Sequence, residues 1–252
     1  MVIAISESND EDLKSILEWS RAEDETFGDD TESFYCNRGI VERAHTNEQL
    51  LVLKKDGHAV AYLVWSPYGV DILSVKREER GKGLGAQLYK FHETKRLDEG
   101  AVLMEIECTP HKSLGFWQKQ GFQRIASSNE EFWRDNRAYK KLSKSHSLKS
   151  IWPQANVVLS FYPQEAAYKN GILPTQTYTP EAYSTAPQKI KFSERIVYYV
   201  PVSKNSYDYD PVVSIELNGQ ELFKGKAKRE AARNMGLKMH TQQCFYMDGL
   251  IL

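Results

Sequence analysis

Residues 71–86 read Asp-Ile-Leu-Ser-Val-Lys-Arg-Glu-Glu-Arg-Gly-Lys-Gly-Leu-Gly-Ala, and they decide how the chain is understood. The run from Val70 to Val75 has the apolar character of a strand. Leu84, Leu88 and Phe91 recur at helical spacing beyond it, which predicts a helix after the glycine loop. Between the two, Gly81, Gly83 and Gly85 leave the backbone bare, so a ligand can approach it closely. The first N–H groups of a helix have no intrahelical acceptor, and the helix dipole favours negative charge beside them. Arg80 and Lys82 bring two cations to the same place. Strand, bare loop and helix start together predict a pyrophosphate site.

Three loop patterns put glycines on phosphates. A P-loop needs Gly, four residues and then Gly-Lys-Ser/Thr, and the chain has no such run. A Rossmann fingerprint fits Gly81-x-Gly83-x-x-Ala86, with Glu105 downstream for a ribose. The context argues against it. A Rossmann loop turns directly out of its domain's first strand, whereas here Lys76-Arg77-Glu78-Glu79 intervenes and two strand-like runs come earlier, Leu50 to Lys54 and Ala59 to Trp65. Asp56-Gly57 between those runs is a hairpin signal. The third pattern, Arg80-Gly81-Lys82-Gly83-Leu84-Gly85, resembles the acetyl-coenzyme A loop of the GNAT acyltransferases.

Further residues carry the same resemblance. Leu73-Ser74-Val75 is similar to the strand that precedes the GNAT loop. Phe116-Trp117-Gln118-Lys119-Gln120-Gly121-Phe122 is similar to that family's Phe-Tyr-x-Lys-x-Gly-Phe, and the order and separation of the pieces match over roughly residues 1–142. The resemblance implies an α/β (α+β) GNAT fold, a mixed central sheet with flanking helices. It implies an N-acetyltransferase that passes an acetyl group from acetyl-CoA to a primary amine of a small molecule, peptide or protein. The cofactor-binding residues it implies are Leu73, Ser74, Val75, Arg80, Gly81, Lys82, Gly83, Leu84, Gly85, Ala86, Phe116 and Lys119. The Val75 N–H is the implied polariser of the acetyl carbonyl.

Attack of an amine on a thioester depends mostly on positioning and on carbonyl polarisation. A base must also take a proton from the ammonium. Asp71 on the loop strand and Glu107 on the next strand are the candidates, with Glu105 on the same face as Glu107. The leaving thiolate presents a departure from the family, because the tyrosine that often protonates it falls at Trp117, whose indole N–H does not titrate near neutrality. Tyr89, Cys108 and His111 are alternative proton donors. A GNAT-fold module that binds acyl-CoA with weak or no turnover is therefore the second reading.

Composition sets wider limits. The chain has 252 residues and a formal net charge of −1, which gives no global attraction to nucleic acid or membrane. Cys36, Cys108 and Cys244 are far apart and form neither a metal pair nor a disulfide framework. A reducing cytoplasm is the expected setting. The scattered histidines give no metal spacing, the acidic residues after Ile5 do not suit a signal peptide, and no apolar run of membrane-spanning length occurs.

The expected organisation is a GNAT domain over residues 1–145, a linker with a Pro/Tyr-rich irregular segment over 146–189, and a small α+β domain over 190–252. Within the first, Asn9 or Asp10 caps a helix and residues 31–44 form a second, with Ile40 and Val41 inward. In the irregular segment, Pro153, Pro163, Pro174, Pro180 and Pro187 argue against long regular elements. Beyond it, strands are expected at 195–202, 212–217 and 220–223, with Asn218-Gly219 as a hairpin turn. A basic helix follows over 226–235. That order faintly resembles a double-stranded RNA-binding domain and would make RNA a partner. The reading also leaves room for a homodimer.

Overall fold

The computed structural model describes residues 2–27, 34–67, 69–125, 136–148, 152–200, 209–241 and 243–252, the His111 side chain apart. The chain divides into two units, residues 1–140 and 141–252.

In the first unit, Asn9 and Asp12 cap each other's amides at 2.9 and 3.1 Å and so start α1 (Asp10–Phe27). The strands are β1 (Ile3–Glu7), β2 (Leu50–Lys55), β3 (His58–Ser66), β4 (Gly69–Val75), β5 (Leu103–Glu107), β6 (Gln123–Arg124) and β7 (Arg137–Lys141). Their order in the sheet is β1-β2-β3-β4-β5-β7-β6. Neighbours are antiparallel from β1 to β4, and β4 runs parallel to β5. On β2, β3 and β4 the even-numbered Leu50, Val52, Tyr62, Val64 and Ile72 pack with Ile16 and Trp19 of α1 and Val41 of α2 (Arg38–Thr46). Alternation sends Leu51, Leu53 and Leu63 to the opposite face, against α3 (Leu84–Asp98).

The β4–β5 pairing is short. It joins Gly69 to Glu105 and Val70 to Ile106. A Cβ at Gly69 would stand 1.7 Å from the Glu105 carbonyl oxygen, so only glycine permits this approach. Beyond Val70 the two strands part, and β4 keeps β3 as its paired neighbour.

One inward assignment of the sequence reading is corrected, since Ile40 is 36% exposed; Phe91, in helical register with Leu84 and Leu88, is 42% exposed. The buried stripe of α3 is Leu84, Leu88, Tyr89 and His92, which rotates Phe91 away from the sheet. The expected helix 31–44 is a 3-10 turn at Tyr35–Asn37 followed by α2, and residues 31–33 lie outside the described residues.

The second unit is built on one antiparallel sheet. Its strands are β8 (Gln154–Tyr162), β9 (Gln176–Tyr178), β10 (Glu181–Ala186), β11 (Lys189–Tyr199), β12 (Val212–Leu217), β13 (Gln220–Lys226), β14 (Lys238–Thr241) and β15 (Cys244–Ile251). Their order is β13-β12-β8-β10-β11-β15-β14, with β9 also paired to β8. The irregular segment expected over 146–189 is instead part of this sheet. Its prolines lie outside the strands, Pro153 and Pro163 flanking β8 and Pro180 and Pro187 flanking β10, so they mark strand ends. Ala155, Val157, Leu159 and Phe161 alternate into the core with Val213, Ile215 and Phe245. The basic helix shrinks to α5 (Glu230–Asn234), because Lys226 ends β13. A helix of five residues on an eight-stranded sheet does not fit the double-stranded RNA-binding pattern.

His92 sits beneath this fold's first sheet with its ring 5.8 Å from Trp65. It is 1% exposed, and neither ring nitrogen has a partner among the described residues. Burial, aided by Arg96 and Lys95, lowers its pKa to about 4. The unfolded chain takes up a proton near pH 6.5 that the folded chain refuses until about pH 4. Stability is therefore full above pH 6.5 and falls as pH drops through this window, by about 3 kcal/mol. His92→Phe should flatten that part of the curve, measured as urea midpoints between pH 7 and 4. An unchanged slope would assign the acid sensitivity to other groups.

Candidate active site

Gly81 and Gly83 hold the loop between β4 and α3 at φ +75° and +79°, in the left-handed region. A Cβ on either would meet no atom within 4 Å, so the space in front of them is open. Gly85 differs. A Cβ there would lie 3.3 Å from a Val75 methyl and 3.8 Å from the Phe116 ring, so this glycine lets α3 start tightly against β4. Gly83 is the helix N-cap, and the amides that follow it are the unpaired donors of a fifteen-residue helix.

The edge of β4 completes this corner. The Lys76 amide donates to the Val60 carbonyl at 2.8 Å. Because strand groups alternate, the backbone N–H groups of Leu73 and Val75 point away from β3, into the gap left where β4 and β5 part. Of the Val75 backbone groups, the carbonyl accepts from Arg80 Nε at 2.8 Å.

Arg80 is also gripped by Glu23. One Glu23 oxygen lies 3.3 Å from the Arg80 guanidinium, and the other accepts from the Arg77 amide at 2.6 Å. A carboxylate at the end of α1 thus fixes the glycine loop, which the sequence reading missed because 57 residues separate Glu23 from Arg80. Lys82 is held by Glu79 at 3.0 Å, and Glu79 is also bound by Lys55 at 2.7 Å. These two lysines hold the Glu79 carboxyl below its usual range.

Two clefts meet here. The larger, about 520 Å³, is lined by the expected Leu73, Val75, Arg80, Gly81, Gly83, Leu84, Gly85, Ala86, Phe116 and Lys119. The smaller, about 200 Å³, shares Leu73, Val75, Arg80 and Ser113 with it and reaches Ser74, Phe34 and Lys112. Ser113 and Gln120 were not anticipated. They stand three before and four after Phe116 around α4 (Leu114–Lys119), a helical spacing that could have shown them. Lys82, Asp71 and Glu107 are not among the residues lining either cleft. Asp71 lies four residues from Val75 along β4, roughly 13 Å. Burial raises its pKa, while Ser66 donates to it at 3.2 Å. Extending the β4–β5 register places Glu107 level with Asp71, and Glu107 is exposed.

Residues 46–124 match the family model described as Acetyltransferase (GNAT) domain. Residues 46–124, within the first unit, carry a GNAT acetyltransferase domain.

No curated protein matches the sequence. Among solved structures, the chain is similar to the PaiA N-acetyltransferase of Thermoplasma acidophilum in complex with coenzyme A. The identity is 19%, covering 56% of this chain and 99% of that one, with a TM-score of 0.43. It is also similar to a GNAT family acetyltransferase of Brucella melitensis in complex with acetyl-CoA, at 16% identity over 59% of this chain and 94% of that one, with a TM-score of 0.43.

Within the GNAT domain, Trp117 is 6% exposed and meets Tyr89, Phe116 and Phe122 at 5.0 to 5.5 Å between ring centroids. Tyr89 is fully buried, and its hydroxyl donates to Glu93 at 3.3 Å. Burial and the Glu93 charge raise its pKa far above neutrality, and it lines neither cleft. Tyr89 is thereby removed as a proton donor. Burial pushes the Cys108 thiol up to about 11, and Cys108 lines neither cleft. The His111 side chain lies outside the described residues. No group of His, Cys, Asp and Glu among the described residues could hold a metal ion. No helix among them is long and apolar enough to cross a membrane.

Tyr89→Phe should leave acetyl transfer within about twofold of wild type and lower stability by about 1 kcal/mol, the usual worth of one hydrogen bond. Thiol-release rates and urea melts read the two effects separately. A tenfold fall in rate without loss of stability would return Tyr89 to the chemistry.

Proposed function

We propose that the GNAT domain transfers the acetyl group of acetyl-CoA to a primary amine. The observation that carries this reading is the continuity of the larger cleft, from the bare amides at Gly81 and Gly83 to the edge of β4 that has no strand partner among the described residues. The residues present fit the donor. Gly81 and Gly83 face open space, the start of α3 supplies N–H groups for a pyrophosphate, and Leu73 and Val75 offer backbone donors to an amide-containing arm. When bound, the thioester supplies the activated acetyl group.

The chain's own groups then divide the task. The Val75 N–H donates to the thioester carbonyl oxygen, where negative charge grows during attack. Phe116 and Trp117 wall the cleft on the α4 side and exclude water. The amine enters from the smaller cleft, past Phe34 and Lys112. Asp71 and Glu107 receive its proton through a chain of waters, since neither lines the clefts. The donor to the departing sulfur is assigned to Ser113. Its hydroxyl is buried and has no partner among the described residues, and the residue lines both clefts, so a rotation of the side chain would turn the hydroxyl toward the sulfur. A serine hydroxyl can hydrogen-bond a thiolate without ionising. A second reading, an acyl-CoA-binding module with little turnover, draws on the burial of Trp117 in the aromatic cluster and the removal of Tyr89.

Calorimetry with acetyl-CoA tests the site. Wild type should bind, and Gly83→Glu should lose roughly 100-fold in affinity, because a carboxylate would stand where the helix start receives phosphate. Failure of wild type to bind would withdraw the proposal. Thiol release with a panel of amines then separates enzyme from module. In that assay Ser113→Ala should lower kcat about tenfold and leave the donor Kd unchanged. Equal losses in both would make Ser113 a packing residue.

A further inference from the structure

The near-neutral charge of the whole chain hides two opposed halves. Residues 1–140 hold 19 Lys and Arg against 25 Asp and Glu, net −6; residues 141–252 hold 14 against 9, net +5. The excess in the second unit is local. Residues 224–238 contain Lys224, Lys226, Lys228, Arg229, Arg233 and Lys238 with Glu230 as their single acid, net +5, and the rest of the unit balances at eight against eight. Charge segregation of this kind points to a polyanionic partner.

The start of that segment, on β13, lies beside aromatic rings, while Lys238 lies on β14 at the other end of the strand order. Lys224 and Lys226 share a side of the edge strand β13, and the Lys224 ammonium stands 5.1 Å over the Tyr162 ring of β8. The 3-10 turn Gln164–Ala167 after β8 packs against β12 and β13. Gln164 accepts from the Asp210 amide at 3.0 Å, and Asp210 in turn accepts from the Lys228 amide at 3.0 Å. This chain of bonds holds the turn beside the basic segment. Tyr168, directly after the turn, is 69% exposed, and its neighbour Lys169 is exposed as well. Lys224, Arg229 and Arg233 are exposed and have no ion pair among the described residues; Lys238 lies 3.9 Å from Asp248. The acids at this corner are Glu165, Asp210 and Glu230, fewer than the cations.

Edge lysines also serve to keep sheets from pairing, which would explain Lys224 and Lys226. It does not explain the arginines beyond the strand end or a bare tyrosine after the turn that Asp210 links to the same segment. Cations that follow a path, interleaved with an exposed ring, match the backbone and bases of an unpaired strand. We infer that this corner of the second unit binds single-stranded nucleic acid, with the cations on its phosphates and Tyr168 stacking on a base. The inference stands apart from the acetyl-transfer proposal, since it rests on no residue of the first unit.

Fluorescence anisotropy of the full chain with labelled oligo-U and oligo-dT 20-mers, across a salt series, tests it. Wild type should bind at low salt. The triple variant Lys224→Gln, Arg229→Gln, Arg233→Gln should bind at least tenfold more weakly and reduce the salt slope by about 2. Tyr168→Ala should weaken single-strand binding about tenfold and leave duplex binding unchanged. All four side chains are exposed, so the variants should melt with wild type. The proposal is overturned by absence of binding at low salt. It is also overturned by equal weakening in a control triple, Lys144→Gln, Lys189→Gln, Lys191→Gln, since binding would then be diffuse. Competition by polyglutamate or anionic vesicles as strong as by unlabelled oligonucleotide would overturn it in favour of an acidic protein or a membrane surface.

Discussion

The parting of β4 and β5 after Val70 is the constraint on which the first unit depends. Two residue pairs hold the strands together, and Gly69 makes that contact by lying against the Glu105 carbonyl, where no side chain fits. Buried backbone groups must find partners, and a strand with one edge open inside a sheet leaves donors waiting. Those donors lie on Leu73 and Val75, one loop away from the free amides at the start of α3. The fold thus sets out a line of N–H groups along which an extended, anionic ligand can lie. The surrounding contacts preserve that line. Glu23 ties the loop to α1, Val75 ties it to Arg80, and Gly85 lets the helix come close enough to continue it.

Behind the line, polar and apolar groups share the task of keeping α3 in place. Glu93 is 2% exposed and is paired by Lys140 and Lys90 while accepting from Tyr89. A buried carboxylate is tolerated only when its oxygens are fully engaged. Tyr89, Trp117 and Phe122 close the space between α3, α4 and β6 with edge and tilted ring contacts. The same packing withdraws the Tyr89 hydroxyl from chemistry. Where an enzyme needs a hydroxyl at a reacting sulfur, packing and catalysis compete for it, and here packing holds the tyrosine.

The glycine loop, the hairpin before it and the helix of Phe116 were legible in the sequence because each is a local pattern: bare backbone, a turn dipeptide, a helical stripe. Ten of the expected donor-binding residues line one cleft for that reason. What could not be read was long-range. Glu23 meets Arg80 across 57 positions, and nothing in either neighbourhood signals the other. Asp71 and Glu107 were chosen for their strands, but strand position does not say how far along the strand a cleft opens. Phe91 and Ile40 show the limit of periodicity, since a stripe of three residues fits more than one helix face. In the second unit the prolines do not break the structure. They stand at strand ends, and the alternation of Val157, Leu159 and Phe161 between them was the better guide.

The opposed charge of the two halves has a consequence for how the protein behaves as a solute. Near its isoelectric point of about 6.6 the chain loses the net repulsion that keeps molecules apart. Blocks of −6 and +5 remain in separate units. In dilute buffer the basic block of one molecule attracts the acidic block of the next, at ranges of tens of ångströms. Raising the ionic strength to 0.1 M shortens that reach to about 10 Å. Moderate salt therefore weakens that attraction, and low-salt handling is the condition that favours clustering.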